Sequence, residues 1–252
     1  MDKQVTFIIC CYNNSQWIQN AIQSAKNQTV KNKICIIDDG STDNSVEIIL
    51  NTLNLPSKIE ENEYIKYTDG TDLLISLSKN RGPSYARNIG IATTIKNTDV
   101  YAILDADDEN YPNKLERCLK DLEDPNVGVV YADYDILDVD KDLIRREYKE
   151  RFSRSRLTQE CIVHSGSLIS KNFLNRVKED TGWYDSTLRC AEDLDLWLRL
   201  SEICYISHVP ESLSLVRVHQ NNSTNSVKKE IWNQCWQRVS QKLYDRTNKT
   251  KK

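Results

Sequence analysis

Lys33-Ile34-Cys35-Ile36-Ile37 gives way at once to Asp38-Asp39-Gly40-Ser41-Thr42-Asp43, a β-branched apolar run ending in a polar, turn-forming cluster. Such a run reads as a buried strand that delivers a loop at its carboxyl end. The chain begins the same way, with Val5 to Cys11 followed by Tyr12-Asn13-Asn14. Between the two runs, Trp17, Ile18, Ala21, Ile22 and Ala25 share one helical face, and after the second run Val46, Ile49, Leu50 and Leu53 do the same. The order β-α-β-α predicts parallel strands with ligands beyond their carboxyl ends. Further along, the pattern predicts a helix over Pro83 to Thr94, a strand over Val100 to Leu104, a helix from near Pro112 and a strand over Val127 to Tyr131. Pro56 to Lys79 breaks the rhythm and predicts only a short strand at Tyr64 to Tyr67. Beyond residue 131, Cys161 to Ser170 and Leu213 to His219 read as extended and Leu194 to Leu200 as helical. Val227, Ile231, Cys235, Val239 and Leu243 recur on a C-terminal helix.

The 252 residues are 39% hydrophobic and 28% charged, with seven glycines and five prolines, a balance that excludes collagen-like, low-complexity and wholly disordered chains. No apolar run approaches the roughly 20 residues of a membrane helix, and no basic-then-apolar leader opens the chain, so the expectation is a cytoplasmic protein. Eight scattered cysteines without a C-x-x-C pair read as buried thiols in a reducing compartment. The formal charge of -3 is uneven: Ser226 to Lys252 carries +6, leaving -9 on residues 1–225. That balance weighs against a nucleic-acid partner.

Four polar clusters follow predicted strands: Cys11-Tyr12-Asn13-Asn14, Asp38 to Asp43, Asn80-Arg81-Gly82 and Asp105-Ala106-Asp107-Asp108. Three carboxylates within four residues repel one another and call for a divalent cation or a basic partner. No Lys or Arg lies within Val100 to Pro112. An oxygen-rich setting favours Mg²⁺ or Mn²⁺ bridging to a substrate phosphate. Each cluster alone has an ordinary reading as well. Asp-Gly-Ser-Thr-Asp is often just a turn with a helix cap, Tyr12 can be packing, and His219 can be a satisfied structural histidine.

Taken in order, these clusters resemble family 2 of the inverting glycosyltransferases, which use nucleotide-sugar donors on a GT-A-type fold. The resemblance runs from Val5 to Asn13 through Ile37-Asp38-Asp39-Gly40-Ser41-Thr42-Asp43, Asn80-Arg81-Gly82, Ala86-Arg87-Asn88-Ile89-Gly90 and Leu104-Asp105-Ala106-Asp107-Asp108. It continues through Gly182-Trp183-Tyr184-Asp185, Glu192-Asp193-Leu194-Asp195-Leu196-Trp197 and Arg217-Val218-His219. It implies an α/β, single Rossmann-like domain over 1–225 with a mostly parallel central sheet flanked by helices. About 1–130 would bind the nucleotide-sugar and about 131–225 the acceptor, with 226–252 a basic C-terminal helix.

The resemblance also implies roles. Cys10 would meet the nucleotide through its backbone, Tyr12 would stack on the base and Asp39 would accept the base N–H. Asn80 and Arg87 would hold the donor, and Asp105 and Ala106 would line the ribose and diphosphate. Asp107, with His219 as a second ligand, would hold Mn²⁺ or Mg²⁺. Asp193 would be the catalytic base, with Glu192 and Trp197 as acceptor-side support, although Glu192 also suits a helix N-terminus and Trp197 also suits core packing. The implied reaction is a metal-assisted single displacement from a nucleotide-diphosphate sugar, with UDP ahead of guanine or thymine carriers, to a saccharide, lipid-linked or protein acceptor. The missing Gln-x-x-Arg-Trp sequence points to non-processive transfer. The rival readings are a sugar-phosphate nucleotidyltransferase, which lacks its Gly-rich loop between Cys10 and Ser15, and a degenerate glycosyltransferase that only binds. The basic C-terminal segment, Ser226 to Lys252, is expected to be dispensable for donor chemistry but to help locate the acceptor. It suits either peripheral contact with an anionic membrane or docking on the core.

Overall fold

The two opening apolar runs become parallel neighbours, Val5–Cys11 (β1) and Asn32–Asp38 (β2), joined by Ile18–Lys26 (α1) and followed by Ser45–Leu53 (α2). The computed structural model describes residues 3–220, 222 and 227–249. The stretch that broke the rhythm is a meander of Ser57–Glu60 (β3), Tyr64–Thr68 (β4) and Leu73–Leu77 (β5), whose last strand runs parallel to β2. Next come Pro83–Thr94 (α3), Val100–Asp105 (β6), Glu109–Asn110 (β7), Lys114–Asp121 (α4) and Val127–Asp138 (β8). The second half adds Leu143–Glu147 (β9), Arg154–Leu157 (α5), Leu168–Ser170 (β10) and Lys171–Arg176 (α6). Glu192–Leu200 (α7), Tyr205–Val218 (β11) and Lys229–Lys249 (α8) complete it.

Among the described residues these strands form one sheet in the order β3-β4-β5-β2-β1-β6-β10-β8-β11-β7, with β9 paired to β8. Its centre, β5-β2-β1-β6, is parallel, and antiparallel pairs extend it on both sides. β1 has β2 on one side and β6 on the other, so the chain order reverses there and a crevice opens at the strands' carboxyl ends. The register sets Cys10 beside both Ile37 and Asp105, so the first, second and fourth polar clusters meet at that edge.

Strand alternation sorts the core into two layers. Phe7, Ile9 and Ile36 face α1, α2 and α4, whereas Ile8, Ile37 and Ile103 face α3, α7 and α8. Each of these side chains is almost fully withdrawn from water, worth about 1.5–3 kcal/mol apiece before the entropy of ordering is counted. Gly90 lets α3 lie close to the sheet, because a Cβ there would stand 2.5 Å from Ile37 Cδ1.

The C-terminal helix uses its apolar stripe on the core. Cys235 and Val239 are buried, and Val227, Ile231 and Leu243 pack on the same layer. Lys242 Nζ sits 2.8 Å from Glu179, 2.9 Å from Asp185 and 3.0 Å from Asp195, and Asp195 in turn pairs with Arg199 on α7. Of the two expected poses for this segment, the structure has it docked on the core, and removing it would open that core and strand buried carboxylates. Ser226, the expected start of the helix, and the basic Lys251 and Lys252 lie outside the described residues. No helix among the described residues is long and apolar enough to cross a membrane. Lys242→Met keeps the aliphatic stem but leaves three carboxylates without their shared cation, so urea denaturation should show a loss of about 3–5 kcal/mol. An unchanged midpoint would mean that the helix does not hold this pose in solution.

Candidate active site

The crevice is built from loops that tie one another in place. Asp39 N–H donates to Cys11 O at 2.8 Å, Thr42 N–H to Asn13 Oδ1 at 2.8 Å and Asn13 N–H to Ser41 Oγ at 2.9 Å, knitting the β1 and β2 loops together. Gly40 has φ +75°, and a Cβ on it would lie 2.7 Å from the Lys79 carbonyl carbon, so the turn needs glycine on both counts. Tyr12 projects from this rim and is 46% exposed, free to cover a planar ring. Asp39 is buried and accepts the main-chain N–H groups of Arg81 and Gly82 at 2.8 and 2.7 Å, which anchors the loop bearing the exposed Asn80. Burial pushes its carboxyl above the ordinary value, and each oxygen keeps acceptor capacity for a further donor.

Arg87, on the buried face of α3, joins the two halves of the site. Its Nη2 donates to Asp105 Oδ1 at 2.9 Å and its Nη1 to Glu192 Oε1 at 2.6 Å. The guanidinium lies 5.2 Å from the Tyr184 ring centroid. One N–H of each terminal nitrogen thus goes to a carboxylate, so that Arg87 braces the loop after β6 against the start of α7. Burial alone would lower its pKa, but Asp105 and Glu192 outweigh burial and raise it well above the ordinary value. Asn88, one residue on, accepts from Trp183 N–H at 3.0 Å and Tyr184 N–H at 2.9 Å, pinning the Gly182-Trp183-Tyr184 turn to α3. Gly182, at φ +110°, leaves no room for a Cβ against the Asn88 amide.

At the end of β6, Ala106 is buried and the three carboxylates meet different neighbours. Asp105 also accepts from Ser165 Oγ at 2.9 Å; burial pushes its carboxyl up, but Arg87 and Ser165 prevail and hold it low. Asp108 is buried and accepts Arg217 N–H at 2.9 Å, while burial and the charges of Asp107 and Asp105 drive its pKa well up. Asp107 Oδ2 lies 3.2 Å from His219 Nε2 and 3.0 Å from Asn222 Nδ2, with its pKa raised by burial and then by Asp105. The Arg217 guanidinium stacks 4.7 Å over Trp17 and donates to the Asp107 carbonyl at 2.8 Å. The carboxylate loop has no base within Val100 to Pro112, yet Arg87, Arg217 and the buried Lys114, just beyond that stretch, stand around it in space. A cation is therefore not needed to neutralise all three acids.

Lys114, Ser165, His164, Arg217 and Asn222 were not picked out individually by sequence reasoning. Arg217 stands two residues before His219 in a motif that was noticed, so its partner strand was the usable signal. Lys114, whose Nζ donates to Asn110, Gly166 and Ser214, is one lysine on an amphipathic helix and carries no local signal.

Glu192 and Asp193 open α7, after Ala191 at φ +58°, a left-handed conformation unusual for alanine and of the kind that gathers at functional sites. Asp193 Oδ1 accepts Leu194 N–H at 2.7 Å, and its Oδ2 lies 3.9 Å from Cys161 Sγ. Burial, then the neighbouring Glu192 charge, pushes its carboxyl up to about 6. Trp197, on the same helix, is 0% exposed and backs the helix from within the core; it offers no surface to an acceptor.

Asp107 and His219 converge as an oxygen and a nitrogen donor, a set suited to Mn²⁺ with the remaining positions left to ligand oxygens and water. Among the described residues, no group of three or more His, Cys, Asp or Glu side chains gathers as a metal cage. A two-ligand site of this kind depends on its substrate to complete it.

Hyaluronan synthase of Pasteurella multocida is 30% identical over 228 residues, 89% of this chain and 21% of the synthase. The chain spans about a third or less of the length of such relatives. The structure of S. aureus TarS 1–349 in complex with UDP-GlcNAc superposes with a TM-score of 0.68 at 15% identity, covering 91% of this chain and 64% of that one. A mannosyltransferase of Pyrobaculum calidifontis, in complex with GDP-Man and Mn²⁺, gives 0.63 at 16% identity over 88% of this chain and 59% of its own. At these identities the likeness is one of fold, the GT-A-type α/β layer. Residues 6–181 match the model of Glycosyl transferase family 2, more than half of the sequence, and the chain belongs to that family.

Proposed function

We propose that this chain transfers a single sugar from a nucleotide-diphosphate sugar, most simply a UDP-sugar, to an acceptor hydroxyl with inversion. The observation that carries the proposal is the Arg87 brace, which links the Asp105 loop to the start of α7 and so puts Asp107 and Asp193 in one crevice. Tyr12 covers the base and Asp39 takes its N–H, while Cys10, Asn80, Asp105 and Ala106 line the donor. Asp107 and His219 would hold a divalent cation, which supplies charge neutralisation on the departing diphosphate. Asp193, ionised above about pH 6, takes the proton of the acceptor hydroxyl as that oxygen bonds to the anomeric carbon and the bond to the diphosphate breaks. Ligands bound by neighbours of the same fold, UDP-GlcNAc and GDP-Man with Mn²⁺, support the donor class and the metal.

The test is turnover of a nucleotide-sugar panel with Mn²⁺ and with EDTA, with NMR of the anomeric proton of the product. An α-linked donor should give a β-linked product. Retained configuration would defeat the single-displacement reading. Asp107→Ala should abolish the Mn²⁺-dependent tightening of UDP binding in calorimetry; equal affinity of the parent protein with Mn²⁺ and with EDTA would remove the metal from the proposal.

A further inference from the structure

The segment from Leu143 to Arg156 carries six basic side chains. Arg145, Arg146, Arg154 and Arg156 are ion-paired with carboxylates, and Arg151 is exposed to solvent. Lys149 differs from all of them. It is half-buried, has no carboxylate partner among the described residues, and holds its Nζ 5.7 Å from the centroid of the Tyr134 ring. Its main-chain N–H is fixed on Asp133 Oδ1 at 2.9 Å, so the side chain starts from a rigid point.

That point is the acceptor side of the crevice. Tyr134 packs against His164 with ring centroids 4.4 Å apart, and Cys161 lies beside Asp193. The Lys149 ammonium is close enough to act electrostatically on both His164 and Cys161. Burial, then Lys114, drives His164 down to about 3, so its ring is neutral at pH 7. Glu192, at the start of α7, is already taken by Arg87. The cation–π contact leaves the three N–H donors of the ammonium unspent, and an anion brought by a ligand completes the arrangement.

We infer that the acceptor is an anionic saccharide, whose carboxylate or phosphate is received by Lys149 over the Tyr134 ring while its hydroxyl faces Asp193. This rests on the glycosyltransferase reading above and adds the chemical class of the acceptor. Lys149 is on this account a specificity-determining residue, and the discriminating quantity is a ratio of affinities.

The test measures binding of p-nitrophenyl β-glucuronide, p-nitrophenyl β-glucoside and p-nitrophenyl β-glucoside 6-phosphate by calorimetry in the presence of UDP and Mn²⁺. A hydrogen bond to a charged group predicts that one of the anionic glycosides binds about 10- to 100-fold more tightly than the neutral one, and the tighter of the two identifies the anion. Lys149→Met should erase the preference and Lys149→Arg should keep it, which separates lost charge from lost folding. Equal binding of all three glycosides, binding of none, or an undiminished preference in Lys149→Met overturns the inference. Nucleotide-sugar turnover is read in parallel: turnover without anion preference sinks only the acceptor class, whereas no turnover of any donor sinks the glycosyltransferase reading and this inference with it.

Discussion

Asp193→Asn should lower sugar transfer by roughly 10²- to 10⁴-fold while donor affinity survives, because the amide keeps the shape of the carboxylate but cannot take a proton. Two further readouts come from the same carboxyl. In the parent protein kcat/KM should fall as pH drops below about 6, where the base becomes protonated before the acceptor arrives. Stability should move the other way. A carboxyl whose folded pKa stands above its unfolded value lets the native state bind the extra proton, so its contribution is present at low pH and is lost as pH rises through about 6. Asp193→Asn should therefore melt at a higher temperature than the parent at pH 7.5, and the gap should close towards pH 4. Near-normal transfer by the variant would remove Asp193 from the role of base. Transfer lost together with a lowered melting temperature would mean that the side chain serves the fold instead.

Arg87→Met should cost about 3–5 kcal/mol, because it leaves Asp105 and the buried Glu192 without the cation that both share. Set against a typical total of about 5–15 kcal/mol, that is enough to move a urea midpoint far to the left. Adding Glu192→Gln to Arg87→Met should recover part of the loss, since one of the stranded charges disappears. The single substitution should also push the Asp193 carboxyl still higher, as Arg87 is among the charges that lower it. The acid limb of the rate profile would then shift to higher pH in whatever activity remains. A small stability change, or no recovery in the double variant, would show that water already screens the trio.

The parallel centre of the sheet was legible in sequence because buried parallel strands are continuous apolar runs with polar loops behind them, as at Val5–Cys11, Asn32–Asp38 and Val100–Asp105. Pro83 at the first turn fixed α3 at its observed bounds. The edge was harder. β4 was visible at Tyr64 to Tyr67, but β3 is exposed throughout and shows none of the alternation that marks a strand with one wet face. Cys161 to Ser170 read as extended because it is apolar, but only Leu168–Ser170 pairs; the remainder is loop that brings His164 and Ser165 to the site. The acids of the site were visible because Asp and Glu crowd next to strand and helix ends. The pairing of these acids with cations was not, since Arg87 reaches Glu192 across 105 residues and Arg217 reaches Asp107 across 110, spans that a local pattern cannot bridge. The same reason made the Asp105 to Asp108 loop look short of positive charge.

The distance along the chain between Asp107 and its partner His219 is 112 residues, and β11, which carries Arg217 towards the loop, pairs with strands made far earlier. At a synthesis rate of about 5–20 residues per second, the carboxylate loop waits roughly 6–22 seconds on the ribosome before its last partners are made. During that wait β1, β2 and β6 are already made and can pair, while Asp107 and Asp108 lack Arg217 and His219. The crevice is thus a late product of vectorial synthesis. Asp107, Arg217 and His219 come together only when β11 pairs beside β8, and a chain stalled before that step carries its carboxylate loop without those partners.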